Sequence, residues 1–397
     1  MDLTYSPEHR ALRAEVKAFL RAHRHLAPKP FGLNRPPADA RAWECLLIEH
    51  GYAARTIPRE YGGYGAEPDI LAARIIAEEF ADAGLPPSLS NQGITMLTPT
   101  LLEFGTEEQK RRWIAPTLRG EVVWCQGYSE PEAGSDLASL RTAAVEDGDD
   151  FVVNGQKIWT STAHDADMIF CLVRTEPDAP KHLGISYLLF SMRTPGIEVR
   201  PLRTMTGEAE FNEVFFTDVR VPKTQIVGAR GEGWSVANAT LKHERGAFTN
   251  PNAFLGRLNR LIKVMREETV DGRRVLDDPV LRDRLMELQA RVFALQFNGL
   301  RLLTASVKNQ NPGVAGLIGK LLGCEVNHQM AALAIDALGE LGVLFGDGPH
   351  VRSRGSWQGR YMLDLGFIIG GGTAQIQKNI IAERGLGLPR EPKLAKS

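Results

Sequence analysis

The sequence predicts a predominantly helical chain whose strands are gathered in one central stretch. Three observations carry this: helical apolar spacing to about residue 120, short β-branched runs from there to about residue 225, and a return of helical spacing from Gly233. Helices and strands segregated in this way argue against an alternating α/β sheet. At 397 residues the chain exceeds one ordinary core, so two or three domains are expected.

Ser6 and Pro7 read as an N-cap and first helical position, followed at helical spacing by Leu12, Val16, Phe19 and Leu20. Similar patterns run through DARAWECLLIEHG, PDILAARIIAEEFADAG and TEEQKRRWIAPTL, broken by loops such as PREYGGYGAEP. In FVVNGQKIWT, apolar and β-branched residues flank Asn154-Gly155, a dipeptide favoured in tight hairpins, and a turn is expected there. Short strands continue through DMIFCLVRT, GISYLLFSM, GIEVRPL and FNEVFFTDVRV. Helical spacing then resumes in WSVANATLKHER, AFLGRLNRLIKVMREE, LRDRLMELQARVFALQFNGLRLL and VAGLIGKLLGCEVNHQMAALAIDALGEL.

Composition narrows the function classes. Lys plus Arg number 47 against 48 Asp plus Glu, which gives no support for a nucleic-acid or polyanion partner. The four cysteines are far apart and form no C-x-x-C pair, so neither a disulfide framework nor a zinc knuckle is indicated, and a reducing compartment is expected. The N-terminus resembles neither a signal nor a transit peptide, and no apolar run approaches the roughly 18 residues of a membrane span. A cytoplasmic location without a membrane span is expected. No G-x-G-x-x-G, H-E-x-x-H or G-x-S-x-G motif is present, and GLIGKLL has the wrong spacing for a phosphate-binding loop. His23 and His25 read as solvated surface, and no metal site is indicated.

Chemistry points to three segments. WCQGYSEPEAGSDLASLRT, residues 124–142, is an irregular loop whose amides and hydroxyls could approach an anion or a flat heterocycle; a domain-linking turn is the alternative. NGQKIWTST places Trp159, Thr160 and Ser161 on a strand. GGGTAQIQKN, residues 370–379, sets three glycines before the start of a helix, which suggests backbone lying close to another helix or a ligand.

Together these segments resemble the acyl-CoA dehydrogenase family, flavoproteins that oxidise acyl thioesters, and the resemblance covers nearly the whole chain. It implies an N-terminal helical domain (1–120), a middle β-sandwich or barrel-like domain (121–230) and a C-terminal four-helix bundle (231–397). It also implies FAD between the last two. Trp159 matches the tryptophan that stacks on the flavin, and Ser129 and Ser161 match hydroxyls on its polar edge. Gln126, Tyr128 and Thr160 are expected along the same wall, Ser135 at cofactor or CoA, and Gly371, Thr373 and Gln375 at the cofactor. Amides near Gly371 and Gly372 are expected to meet the thioester carbonyl.

In many relatives a glutamate at the position of Gly371 is the base; a second branch carries it where this chain has Glu244. The resemblance thus makes Glu244 the base that takes the α-proton, with hydride passing to flavin N5 and a trans-2-enoyl-CoA as product. An exposed glutamate paired with His243 or Arg245 is the alternative reading of that residue. Arg245 matches an arginine near the CoA chain. The segment DGRRVLDDP departs from the family's R-x-x-F-G turn, leaving Arg273 or Arg274 to substitute at the cofactor, and Gly339 stands where a glutamine is common. The resemblance is greatest to a bacterial subgroup acting on bulky or dicarboxylic acyl-CoAs, such as steroid side-chain and pimeloyl thioesters. An electron-transfer flavoprotein is the implied partner, in a homo-oligomer or an α2β2 heterotetramer. The competing functions are a flavin oxidase and a non-catalytic partner subunit.

Overall fold

A computed structural model describes residues 5–29, 31–32, 35–247 and 251–390, the side chains of 244–247 and 251–252 excepted. Two compact units are present, Met1–His243 and Glu244–Ser397.

The first unit opens with helix α1 (Pro7–His23), where the Ser6 hydroxyl accepts the His9 amide at 3.3 Å. Val16, Phe19 and Leu20 of α1 share a core with Trp43 and Leu47 of α2 (Ala38–Glu49) and with Ile76 and Phe80 of α3 (Ile70–Ala83). Asp69 caps α3 through the Leu71 and Ala72 amides, and left-handed Gly84 ends it. Helix α4 (Thr98–Phe104) precedes α5 (Glu107–Leu118), which begins with a reciprocal capping box between Thr106 and Gln109.

Seven strands follow: β1 (Trp124–Gly127), β2 (Ala143–Asp147), β3 (Asp150–Ser161), β4 (Met168–Arg174), β5 (Ile185–Ser191), β6 (Ile197–Leu202) and β7 (Phe211–Pro222). They form one sheet in the order β1-β4-β2-β3-β7-β6, with β5 paired to β4. Side chains alternate across β4: Phe170 and Leu172 join Leu97, Leu101 and Ile114 of the helical side, while Ile169, Cys171 and Val173 face Phe151, Val153, Val214 and Val219. Burial on both faces explains why β4 and β5 read as continuous apolar runs. Helix α6 (Gly233–Ala247) adds Val236 and Ala237 to the first of these cores.

Asn154-Gly155 is not the expected turn. Strand β3 runs straight through it, and the two-residue turn is Gly148-Asp149, since Asp147 pairs Asp150. Gly148 has φ +62° at the first central position, as a type II′ turn requires. The Asn-Gly pair serves a bulge instead. Between Val153↔Val219 and Gly155↔Phe216, β3 advances two residues and β7 three. Asn154 closes the gap through Oδ1 to the Asp218 amide (2.9 Å) and Nδ2 to the Asp218 carboxylate (3.0 Å). A Cβ on Gly155 would stand 2.7 Å from Thr142 Cα, so no larger residue fits.

The second unit holds four long helices, α7 (Pro251–Glu267), α8 (Pro279–Val307), α9 (Gly319–Ala337) and α10 (Ser356–Ile369), then the short α11 (Ala374–Ile380). Leu258, Leu261, Met265, Leu285, Val292, Met330, Leu333 and Trp357 fill the bundle core. Buried Asp364 of α10 takes Arg257 of α7 at 3.3 Å and lies 2.8 Å from Arg360. Burial is the first cause that pushes Arg257 down to about 10 and the Asp364 carboxyl up. The DGRRVLDDP segment folds as a hairpin of β8 (Thr269–Val270) and β9 (Arg273–Arg274), turning at Asp271-Gly272, both at positive φ. Among the described residues no helix is long and apolar enough to cross a membrane, no cluster could hold a metal ion, and the four cysteines are free.

Candidate active site

Trp159 is the anomaly of the sheet. It is a bulky residue at φ +60° within a strand, and its side chain is 58 % exposed. The pairing explains how it gets there. From Lys157↔Val214 to Thr160↔Asn212, β3 advances three residues and β7 two, so a bulge re-aims the indole outward. Its only aromatic support among the described contacts is Phe211, edge-on at 5.9 Å. A left-handed, non-glycine residue costs about 1–3 kcal/mol, and folding gains little from leaving an exposed indole there.

The loop after β1 runs beside this stretch. Ser129 O accepts the Ile158 amide at 2.9 Å, which lays half-buried Ser129 alongside Trp159. Thr160 Oγ1 and Gln126 Nε2 are buried without a hydrogen-bond partner. Orphaned groups of this kind cost roughly 1–3 kcal/mol each. An apolar, exposed ring face beside the half-buried Ser129 and Ser161 fits a flat heterocycle with a polar rim. Tyr128, in contrast, turns its ring into the core, edge-on to Phe170 and Tyr187.

A buried ion pair holds the loop. Lys157 Nζ, fully buried, donates to Glu130 Oε1 at 2.7 Å and to Tyr128 O at 3.2 Å. Glu130 also accepts the amides of Arg141 (2.6 Å) and Thr142 (2.9 Å) and the Thr142 hydroxyl (2.6 Å). Burial alone raises a carboxyl's pKa, but Lys157 and these donors outweigh it and hold Glu130 below the usual range. Arg174 fastens the far end of the loop by donating to the Ala138 and Leu140 carbonyls at 2.6 and 3.1 Å. Ser135 is exposed on this loop, beside Asp136, whose two carboxylate oxygens accept from Lys181 Nζ at 2.7 and 2.8 Å.

In the second unit the glycine run forms a turn between α10 and α11. Gly371 (φ +64°) and Gly372 (φ +93°) are both left-handed, which no other residue type adopts in succession at low cost. Thr373 caps α11, its hydroxyl accepting the Ile376 amide at 3.2 Å, and Gln375 is exposed on the first turn. Under the turn, Lys320 Nζ donates to Gly372 O at 2.6 Å and Gln377 Nε2 to Gly371 O at 3.3 Å.

Gln126, Ser129, Trp159, Thr160 and Ser161 are thus brought together, as are Gly371, Gly372, Thr373 and Gln375 in the other unit. Arg273 is exposed on the β8–β9 hairpin. Glu244 and Arg245 occupy the last turns of α6, and their side chains lie outside the described residues. Sequence reasoning passed over Glu130, Lys157, Arg174, Lys320 and Gln377. A signal existed for Lys157, which shares the inward parity of Phe151 and Val153 and so demands a buried anion.

Models of the acyl-CoA dehydrogenase N-terminal, middle and C-terminal domains match residues 6–121, 125–219 and 231–386. The acyl-CoA dehydrogenase IpdE1 of Mycobacterium tuberculosis is 41 % identical over 360 residues, covering 89 % of each chain. Among solved structures, the Tcur3481-Tcur3483 steroid ACAD superposes with TM-score 0.80 at 30 % identity, covering 98 % of this chain and all of the other. The ChsE4-ChsE5 complex of M. tuberculosis does so with TM-score 0.79 at 32 % identity, covering 98 % of this chain and 100 % of the other.

Proposed function

Because the chain belongs to the acyl-CoA dehydrogenase family, we propose that it converts a bulky acyl-CoA to its trans-2-enoyl-CoA with FAD bound and Glu244 as base. The observation that carries the cofactor assignment is Trp159, exposed and left-handed at a bulge beside the half-buried Ser129 and Ser161. Trp159 would offer its face to the isoalloxazine ring, and Thr160, Gln126, Ser129 and Ser161 its polar edge. The flavin, when bound, supplies the two-electron acceptor that no side chain provides.

The remaining roles belong to the chain. Glu244 takes the α-proton of the thioester, a task for which Gly371 has no side chain. Backbone amides of the glycine turn hydrogen-bond the thioester carbonyl and stabilise the charge that develops on its oxygen. Ser135 and Arg245 contact CoA, and Arg273 and Gln375 the cofactor. An electron-transfer flavoprotein is the accepting partner, in the cytoplasm.

A second reading makes this chain one half of an α2β2 heterotetramer. Its support is that two of the solved structures it resembles carry two-protein names, one described as a complex. If that reading holds, the chain expressed alone will lack full flavin content, and coexpression with a second dehydrogenase-like chain will restore it.

The decisive experiment is an anaerobic titration of the purified yellow protein with acyl-CoAs of differing bulk. A suitable one bleaches the flavin. Glu244→Gln is expected to keep the colour and slow bleaching by about 10³-fold or more. Bleaching at an unchanged rate rejects Glu244 as base.

A further inference from the structure

Strand β7 carries one polar side chain in its inward row. Asn212 is fully buried and shares the parity of Val214 and Phe216, which pack in the core of the sheet. A valine there would continue the apolar row, and burying an amide is unfavourable unless its hydrogen bonds are made. Asn212 makes them beside the Trp159 bulge. Its Nδ2 donates to Thr160 O at 2.9 Å and, at 3.5 Å, to Glu210 O, while Oδ1 lies 3.1 Å from His164 Nδ1. The two carbonyls can only accept, which assigns the amide nitrogen to their side. The amide oxygen then faces the imidazole, so His164 donates from Nδ1.

These bonds bear on the strain at Trp159. On one side of it, the Ile158 amide is tied to Ser129 O at 2.9 Å; on the other, the Thr160 carbonyl is tied to Asn212. Thr162, at φ +55°, is a second left-handed residue in the same stretch, its amide bound to Glu210 O at 2.7 Å. Strained backbone persists only where its surroundings over-determine it. One edge-on ring contact with Phe211 does not fix a backbone dihedral; hydrogen bonds on both flanking residues do.

We propose that Asn212, backed by His164, is a positioning residue that holds the Trp159 indole outward as the stacking face for FAD. This rests on the flavin reading of Trp159 above. Being fully buried, Asn212 acts through the Thr160 peptide and not by contact with the cofactor. A ring already held in its bound direction loses less freedom when a ligand docks, and the difference appears as affinity.

Two measurements test it. The first needs no flavin and records fluorine resonances of the full chain, labelled with 5-fluorotryptophan and freed of cofactor. The chain has six tryptophans, and the Trp159 line is the one lost in Trp159→Phe. Asn212→Val is expected to shift or split that line and leave the others in place. His164→Ala should do the same to a smaller extent, and His164→Gln, which keeps a donor, should restore most of the parent position. A Trp159 line unchanged in Asn212→Val overturns the positioning role. If every line moves, that variant has lost its fold, and His164→Ala, which leaves β7 intact, carries both measurements.

The second is a titration of the same proteins with FAD, read by flavin fluorescence, which a stacked indole quenches. Asn212→Val is expected to raise the dissociation constant about 10- to 30-fold and to leave the bound flavin several-fold brighter. In a Trp159→Gly background the same substitution should change the constant less than about twofold, because no ring is left to hold. A full effect in that background overturns action through Trp159. If Trp159→Gly alone leaves FAD binding and flavin brightness unchanged, the flavin reading of Trp159 falls and the stacking role with it, while the fluorine line still reports whether Asn212 holds the ring.

Discussion

Lys157 in the first unit and Lys320 in the second are both buried amines beneath a candidate ligand surface, yet they hold that surface differently. Lys157 meets a carboxylate, Glu130, at 2.7 Å, and the pair anchors a whole irregular loop. Lys320 meets main-chain carbonyls, Gly372 O and Ile368 O, and fixes the orientation of single peptide units. In the first a charge is matched by a charge; in the second two main-chain dipoles are among the partners. Loop placement over several residues calls for the stronger anchor, whereas peptide orientation in a glycine turn needs only a directed donor.

The comparison is sharpest in stability. Lys157→Met removes one partner of a buried ion pair and is expected to cost about 3–5 kcal/mol in denaturant unfolding. Adding Glu130→Gln should recover part of that loss, because the stranded anion goes with it. A cost below about 1 kcal/mol for the single variant would mean the Glu130 hydrogen bonds suffice without the lysine. The ion pair would then not be the anchor.

Glu44 shows what happens to a buried carboxylate whose recorded support is a single amide, Leu89 N at 2.7 Å. Burial pushes it up from 4.5 to about 7, with the Leu89 hydrogen bond opposing. Between those values the folded protein holds a proton that the unfolded chain releases. Stability therefore falls as pH rises through 4.5 to about 7, and the loss is complete above that. Glu44→Gln should flatten the slope and stabilise the protein by on the order of 3 kcal/mol at pH 8. An unaltered pH profile would show that Glu44 titrates normally in the folded state. Third in size is Lys320→Met, expected to cost about 2 kcal/mol through carbonyls left without their donor. An effect as large as that of Lys157→Met would erase the distinction between the two lysines.

Much of this was legible in the sequence where one pattern decided one element. Ser6-Pro7, the helical spacing of TEEQKRRWIAPTL, and the apolar runs of β4 and β5 each mark a structure that local rules specify. The Asn-Gly pair misled because a turn signal and a bulge signal share the same residues, and only the register with β7 separates them. Helix α10 was passed over because Gln358 and Asp364 are buried in it, and two glycines, Gly359 and Gly366, blur its apolar face. The proposed ligand residues Trp159, Ser129 and Gly371 were singled out through motif resemblance. Their supports were not, because a buried lysine's partner lies 27 or 52 residues away in sequence, where no local pattern reaches.

The smallest predicted effect bears on why Trp159 is there at all. Trp124, 1 % exposed and donating to the Thr117 hydroxyl at 2.8 Å, is a core tryptophan, and Trp124→Ala should cost about 3–5 kcal/mol. Trp159→Gly removes an exposed ring from a left-handed position. Relieved strain and the looser unfolded chain then nearly cancel, leaving stability within about 1 kcal/mol of the parent. The same variant should lose most of its yellow colour on purification, since the ring face is what the fold strains itself to present. A loss of stability comparable to that of Trp124→Ala, with colour retained, would make Trp159 a packing residue and remove the observation on which the cofactor assignment stands.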